Sequence, residues 1–130
     1  MKTYSPRPPA VNQVELHPLC QQPALVTYCQ HNGVILQAYS PLIRAQQNGN
    51  PILVGIAEKY GVSVPQVLVR WSLQRGFVPL PKSEKVERVR LNGEVWGFKL
   101  SGEDMGRLDK MGEGLEEGQG AICPYNANCP

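Results

Sequence analysis

The chain has 130 residues, 42% of them hydrophobic and 18% charged, with a formal net charge of +2. That balance fits one globular domain with a buried core and excludes a disordered polypeptide, and the charge is too small to argue for nucleic acid. No apolar run approaches the ~20 residues of a bilayer-spanning helix, and Met1 to Pro9 lacks the apolar centre of a signal peptide. The expectation is a soluble, cytoplasmic protein that binds neither nucleic acid nor membrane.

The elements alternate along the chain. After the breakers Pro8 and Pro9, Ala10 to Leu16 reads as a short strand holding Val11 and Val14. Pro23 suits the first turn of a helix through Ala24, Leu25, Tyr28 and Cys29, stopped by Asn32 and Gly33. Val34 to Tyr39 is a continuous apolar-rich run, whose length and β-branched start predict a strand buried on both faces. A polar loop, Arg44 to Gly49, follows Pro41. Asn50 and Pro51 then supply a cap and first turn, with Ile52, Leu53, Ile56, Ala57 and Tyr60 on one face and Gly61 as the stop. Ser63 and Gln66 form a capping-box pattern for a helix striped by Val67, Leu68 and Trp71 and closed by Gly76. Phe77 to Leu80 is another short strand, in which Pro79 discourages a regular central ladder. A helix is predicted from about Glu84 to Leu91. The last one starts at Ser101, with Leu100 placed to staple onto Met105, and Leu108 and Met111 continuing that face. From Gly112 the chain is a glycine-rich polar tail.

Strand–helix, strand–helix–helix, strand–helix is the order of an α/β fold with parallel strands and crossover helices. Three such strands leave two unpaired edges and one bare face, which parallel sheets rarely tolerate. The pattern therefore predicts further strands from elsewhere, or self-association through the open edges.

Cys20 and Cys29 lie nine positions apart and Cys123 and Cys129 six, which fits no usual zinc spacing, so no metal site is expected. The first pair reads as reduced packing residues. The second flanks Pro124 to Asn128 and would close a disulfide only in an oxidising compartment.

Pro81 to Arg88 is the segment richest in chemistry, because it stands where a strand ends and a helix begins. Helix amino termini offer free N–H groups and partial positive charge to anions. Lys82 precedes the helix, Lys85 and Arg88 share a helical face, and Ser83 can cap the helix or donate to a phosphate oxygen. Two readings stand: a phosphate site, or a solvated helix start where Glu84 and Glu87 neutralise the cations. The loop after the eighth strand of a (β/α)8 barrel is a recurrent phosphate site, which favours the first if the fold is a barrel. Tyr39, followed by Ser40, Pro41 and Leu42, either offers a ring face to a flat ligand or caps the strand as a core residue. Asn12 and Gln13 are polar residues inside a strand and need partners, from backbone or ligand. Glu15 is a general base or, more commonly for such a residue, half of a salt bridge. His17 and His31 can titrate near neutrality, but no triad surrounds them, so they read as structural.

Pro9 to Pro18, with Asn12-Gln13-Val14-Glu15 at its centre, resembles the sixth-strand segment of the aldo-keto reductases. Gln37 to Leu42 is similar to their seventh strand and its turn. Ile56 to Gly61, Pro65-Gln66-Val67 and Arg70-Trp71 resemble the seventh-repeat helices, and Leu80 to Ser83 with Glu87-Arg88 the eighth-strand phosphate signature. The resemblance runs in unbroken order from about Pro8 to Met111. That family folds as a (β/α)8 barrel and moves hydride from NADPH to aldehydes and ketones. The resemblance therefore implies a partial TIM barrel of the carboxyl-terminal three repeats: residues 1–9 a leader from the preceding repeat, 10–111 barrel, and 112–130 a tail beside the substrate pocket.

Carried over position by position, the resemblance implies that Gln13 holds the nicotinamide carboxamide and Tyr39 stacks on the ring. It implies Ser40 and Leu42 near the pyrophosphate, a grip on the adenosine 2′-phosphate by Lys82, Ser83 and Arg88, and Asn92 near the adenine. This sequence departs from the pattern at Leu91, where an acidic residue is frequent, and at Ile43 and Arg44, where small residues are. Glu84 adds a negative charge beside the phosphate position. The family's catalytic tyrosine, lysine, aspartate and histidine belong to the first four repeats, and its serine–asparagine pair to the fifth. Tyr4, Tyr28, Tyr60 and Tyr125 do not stand in matching context, so no catalytic residue is assigned. The expectation is the NADPH-binding part of a reductase of small carbonyl compounds, silent by itself. The alternative is a non-enzymatic nucleotide-binding or oligomerising module of the same fold. RNA binding through the basic helix is disfavoured by the low net charge and the lack of aromatic ladders.

Overall fold

The computed structural model describes residues 7–115 and 120–122. Strands β1 (Val11–Glu15) and β2 (Ile35–Tyr39) pair in parallel along their length, from Val11 opposite Ile35 to Glu15 opposite Tyr39. Strand β3 (Val78–Pro79) adds to the other side of β2, with Gln37 opposite Val78, giving the order β1-β2-β3. Helix α1 (Pro23–His31) makes the first crossover, and α2 (Pro51–Tyr60) with α3 (Val64–Gln74) the second. Helices α4 (Val86–Gly93) and α5 (Gly102–Asp109) follow β3. This is the α/β architecture with parallel strands that the element order predicts.

Local chemistry sets the boundaries. Pro51 opens α2 while the Asn50 side chain accepts from the Ile52 N–H at 3.0 Å, and Gly61 ends the helix in the left-handed region at φ +64°. The Ser63 N–H donates to the Gln66 side-chain oxygen at 2.9 Å, the back-reaching half of the capping box. Ser101 caps α5 by accepting from the Asp104 N–H at 3.1 Å, and Leu100 and Met105 both pack into the core. Strand β3 is only two residues long because its proline gives the ladder no donor, although the Leu80 N–H still reaches the Ala38 carbonyl at 3.0 Å. Helix α4 begins at Val86, two residues later than predicted. Ser83 turns the chain instead of capping the helix, its hydroxyl accepting from the Lys85 N–H at 3.3 Å.

One face of the sheet carries the helices. Leu36 and Ala38 of β2 are buried there with Val26, Cys29, Val67, Trp71 and Phe77. Trp71 is fully enclosed, donates its indole N–H to Asp109 at 2.8 Å and meets Phe77 edge-on. The reading of β2 as a strand buried on both faces needs correction: on the face turned away from the helices Ile35 is 53% exposed and Gln37 and Tyr39 are only half-buried. Cys20 and Cys29 are free and buried, whereas Cys123, Cys129, Tyr4 and Tyr125 lie outside the described residues. Among the described residues no single helix is long and apolar enough to cross a membrane, and no group of three His, Cys, Asp or Glu is placed to hold a metal ion.

Candidate functional site

The uncovered sheet face has a definite chemical pattern. Period-two alternation and the parallel register set Val11 beside Ile35, Gln13 beside Gln37 and Val78, and Glu15 beside Tyr39, in three successive rows. The first row is apolar and exposed. The middle row is amide, and the Gln13 Nε2 donates to the Gln37 Oε1 at 3.0 Å. The last row, at the carboxyl ends of the strands, pairs a carboxylate with an aromatic ring. Gln13 and Tyr39 thus share one open face, one row apart. Asn12 points the other way and donates to the Cys29 sulfur at 3.6 Å, which satisfies it structurally.

Beyond Tyr39 the backbone is unusual. Ser40, Ile43, Arg44 and Ala45 all have positive φ, at 50°, 53°, 47° and 61°. For residues other than glycine this region costs about 1–2 kcal/mol each, and a β-branched residue there is an outlier. Packing and short hydrogen bonds hold the turn. Ile43 is 1% exposed, its N–H donates to the Ser40 carbonyl at 2.9 Å, and the Ala45 N–H donates to the Leu42 carbonyl at 2.9 Å. The Leu42 side chain packs on the core.

The charged residues of the basic junction after β3 are all exposed, while Pro81 and Ser83 are half-buried. Lys82 pairs weakly with Glu84 at 3.5 Å, and Arg90 is shared between Glu87 and Glu94 at 3.7 and 3.4 Å. Lys85 and Arg88 have no ion-pair partner among the described residues. The neutralisation expected from Glu84 and Glu87 therefore reaches Lys82 and Arg90 but leaves Arg88 available. One turn on from Arg88, Asn92 is the buried residue of α4, tucked against the body of the protein.

A fourth cluster sits at the end of β1. The His17 Nε2 lies 2.9 Å from the Glu15 Oε1, with both side chains almost fully buried. The same carboxylate oxygen accepts the Ile122 N–H at 2.7 Å. The Glu15 carbonyl accepts from the Gln22 side chain at 2.6 Å, with Gln22 itself at φ 45°. Burial pushes the His17 pKa below its ordinary value, against the opposing pull of the carboxylate. Burial and the Glu15 charge push the Cys20 thiol up to about 11, so it stays protonated at neutral pH. Glu15 thus faces a buried histidine, and with the imidazole pKa lowered the contact is a hydrogen bond to a neutral ring at neutral pH and becomes an ion pair only on protonation.

Of the residues singled out from the sequence, Gln13 and Tyr39 come together on the open face, with Ser40 and Leu42 in the turn just beyond. Lys82 and Ser83 lie in the segment after the neighbouring strand, with Arg88 in the first turn of α4 and Asn92 one turn further along it. Sequence reasoning missed the partnership of Glu15 with the tail, and the left-handed turn. The two-residue spacing of Glu15 and His17 was a signal for their mutual contact alone.

Residues 1–113 match the model of the aldo/keto reductase family. An uncharacterized oxidoreductase of Schizosaccharomyces pombe is 47% identical over 105 residues, 81% of this chain and 38% of that protein. The glyoxal reductase of Bacillus subtilis is 47% identical over 103 residues, 79% of this chain and 37% of the enzyme. A crystal structure of a Gox0644 mutant in complex with NADPH superimposes with a TM-score of 0.81 at 34% identity, covering 84% of this chain and 40% of that one. The chain spans about 38% of the length of the curated relatives it matches.

Proposed function

Because the chain belongs to the aldo/keto reductase family, we propose that it forms the dinucleotide-binding part of an NADP-dependent oxidoreductase that reduces aldehydes or ketones to alcohols. It corresponds to the last three repeats of the barrel, with residues 10–111 as barrel and 112–130 as the tail beside the substrate. The open face is the inner wall of that barrel. Gln13 holds the nicotinamide carboxamide, since an amide offers both a donor and an acceptor to an amide. Tyr39 supplies the ring against which the nicotinamide stacks. Ser40 and the Leu42 backbone lie along the pyrophosphate. Lys82, Ser83 and Arg88 hold the 2′-phosphate, and Asn92 backs the adenine.

The observation that carries this reading is the Arg88 guanidinium, without an ion-pair partner among the described residues, in the first turn of the helix that follows Lys82 and Ser83 at a strand-to-helix junction. Its planar donor fork suits a phosphate, and NADPH has one there that NADH lacks. The bound dinucleotide supplies the hydride, while the chain's own residues orient the ring and fix the phosphate. No residue of this chain takes the proton-donor role, so the chain alone is catalytically silent. A second reading, a nucleotide-binding or oligomerising module without chemistry, is favoured by the exposed apolar side chains of Val11, Ile35 and Val78 on the sheet.

Fluorescence titration of the chain with NADPH and NADH at low ionic strength tests the proposal. A preference for NADPH of about tenfold or more is expected, as one charge-assisted hydrogen bond gives about 1.5–3 kcal/mol. Equal affinities, or no binding of either, would remove it. Size-exclusion chromatography separates the second reading, which requires a discrete dimer.

A further inference from the structure

The described residues after α5, with the end of α5 itself, are seated on the turn that follows β1 by several independent contacts. The Gln21 side chain donates to the Pro18 carbonyl at 2.8 Å and to the Asp109 carbonyl at 2.5 Å, bridging the turn to the end of α5. Gly112 and Gly120 both press against the same turn. A Cβ on Gly112 would stand 2.7 Å from the Pro18 carbonyl oxygen, and one on Gly120 would stand 1.7 Å from that of Leu19. Neither position has room for a side chain. Beyond Gly120, the Ile122 side chain packs on the core and its N–H donates to Glu15.

Glu15 is a charged group in this seat that reaches the backbone of 120–122 directly. Its carboxylate is almost wholly out of water, where a backbone N–H and an imidazole N–H offset the loss of solvation. We propose that Glu15 is the anchor that fixes residues 120–122 as a strap across the carboxyl ends of β1 and β2. The strap forms one wall of an open cleft of about 420 Å³, lined also by Leu19, Ile43, Gln46, Gln47 and Leu115, so its release removes that wall. Glu15 is a positioning residue here: it acts through the tail, and His17 holds its carboxylate in place. The inference is independent of dinucleotide binding, and a negative titration with NADPH leaves it intact.

Amide hydrogen exchange of the full chain, followed residue by residue by NMR, reads the strap directly. In the wild-type protein the Ile122 amide is expected to be protected. In Glu15→Ala it exchanges about tenfold faster or more, while the α5 amides keep their rates. Glu15→Gln falls between the two, because its amide oxygen still accepts one hydrogen bond. An unprotected Ile122 in the wild type, or unchanged exchange in Glu15→Ala, overturns the proposal. Should Glu15→Ala lose protection throughout, Gly120→Val decides. It leaves β1 untouched yet cannot seat on Leu19, so fast exchange at Ile122 alone supports the strap and wild-type exchange overturns it.

Discussion

Tyr60 and Asp104, forty-four positions apart, meet at 2.8 Å, the phenol hydroxyl donating to the carboxylate while its oxygen accepts the Ser101 N–H at 2.9 Å. Lys59 and the Ser101 hydroxyl reach the same carboxylate oxygen at 2.6 and 2.7 Å, so one buried side chain ties α2 to α5. Asp104→Ala is expected to cost about 3 kcal/mol, because it strands several donors at once. Tyr60→Phe should cost about 1–2 kcal/mol. Urea unfolding measures both, and equal losses would show that the carboxylate is not the hub.

Acid should weaken the fold in two separate windows. His17 in the folded chain lies below its ordinary value near 6.5, so the unfolded chain takes that proton first. Stability therefore falls as the pH drops from 6.5 towards the folded value. Asp104 is held at about 2 against an ordinary 3.8, chiefly by Lys59, Ser101 and Tyr60 outweighing its burial. Its contribution is complete above pH 3.8 and is lost as the pH falls to about 2. Stability measured against pH in His17→Gln should lose the upper slope and keep the lower one.

Ala45 lies exposed at φ 61°, where glycine is at ease and alanine is strained. Ala45→Gly is expected to stabilise the protein by about 0.5 kcal/mol, the relief of strain exceeding the added entropy of the unfolded chain. Thermal unfolding should show a rise of about 1–2 °C. A fall would mean that the turn is not strained there.

At the basic junction, Arg88→Ala should weaken NADPH binding about tenfold or more and leave NADH unaffected. Glu84→Ala should act in the opposite sense. It frees Lys82 from a partner 3.5 Å away, strengthening NADPH binding about two- to threefold at low salt and hardly at all at high salt. Titrations at two salt concentrations check both, and a loss of affinity in Glu84→Ala would contradict this arrangement.

What was legible in the sequence was local. Proline and glycine stops, the Asn50 and Ser101 caps and the order of strands and helices all depend on neighbours within a few residues. Gln13 and Tyr39 were readable as candidates because motif and strand periodicity agree on them. Strand count alone announced a bare sheet face, but the one-sided burial of β2 was not legible in its own residues, since an apolar run looks alike whether one side or both are covered. The Ile122–Glu15 contact spans 107 positions and leaves no periodic trace. The left-handed turn was hidden for a different reason. Ile43, Arg44 and Ala45 are poor residues for that conformation, so only the packing of Ile43 explains why they adopt it.

The three-row register sets a parity rule for β2. Gln37 and Tyr39 look one way and Leu36 and Ala38 the other, so deleting or inserting a single residue between Gly33 and Tyr39 would exchange the two sets. An amide and a phenol would then be driven in among the helices while two aliphatic groups were turned out of them. Length changes in this stretch can therefore be accommodated only in even steps, and odd ones must be absorbed by the loop beyond Ser40.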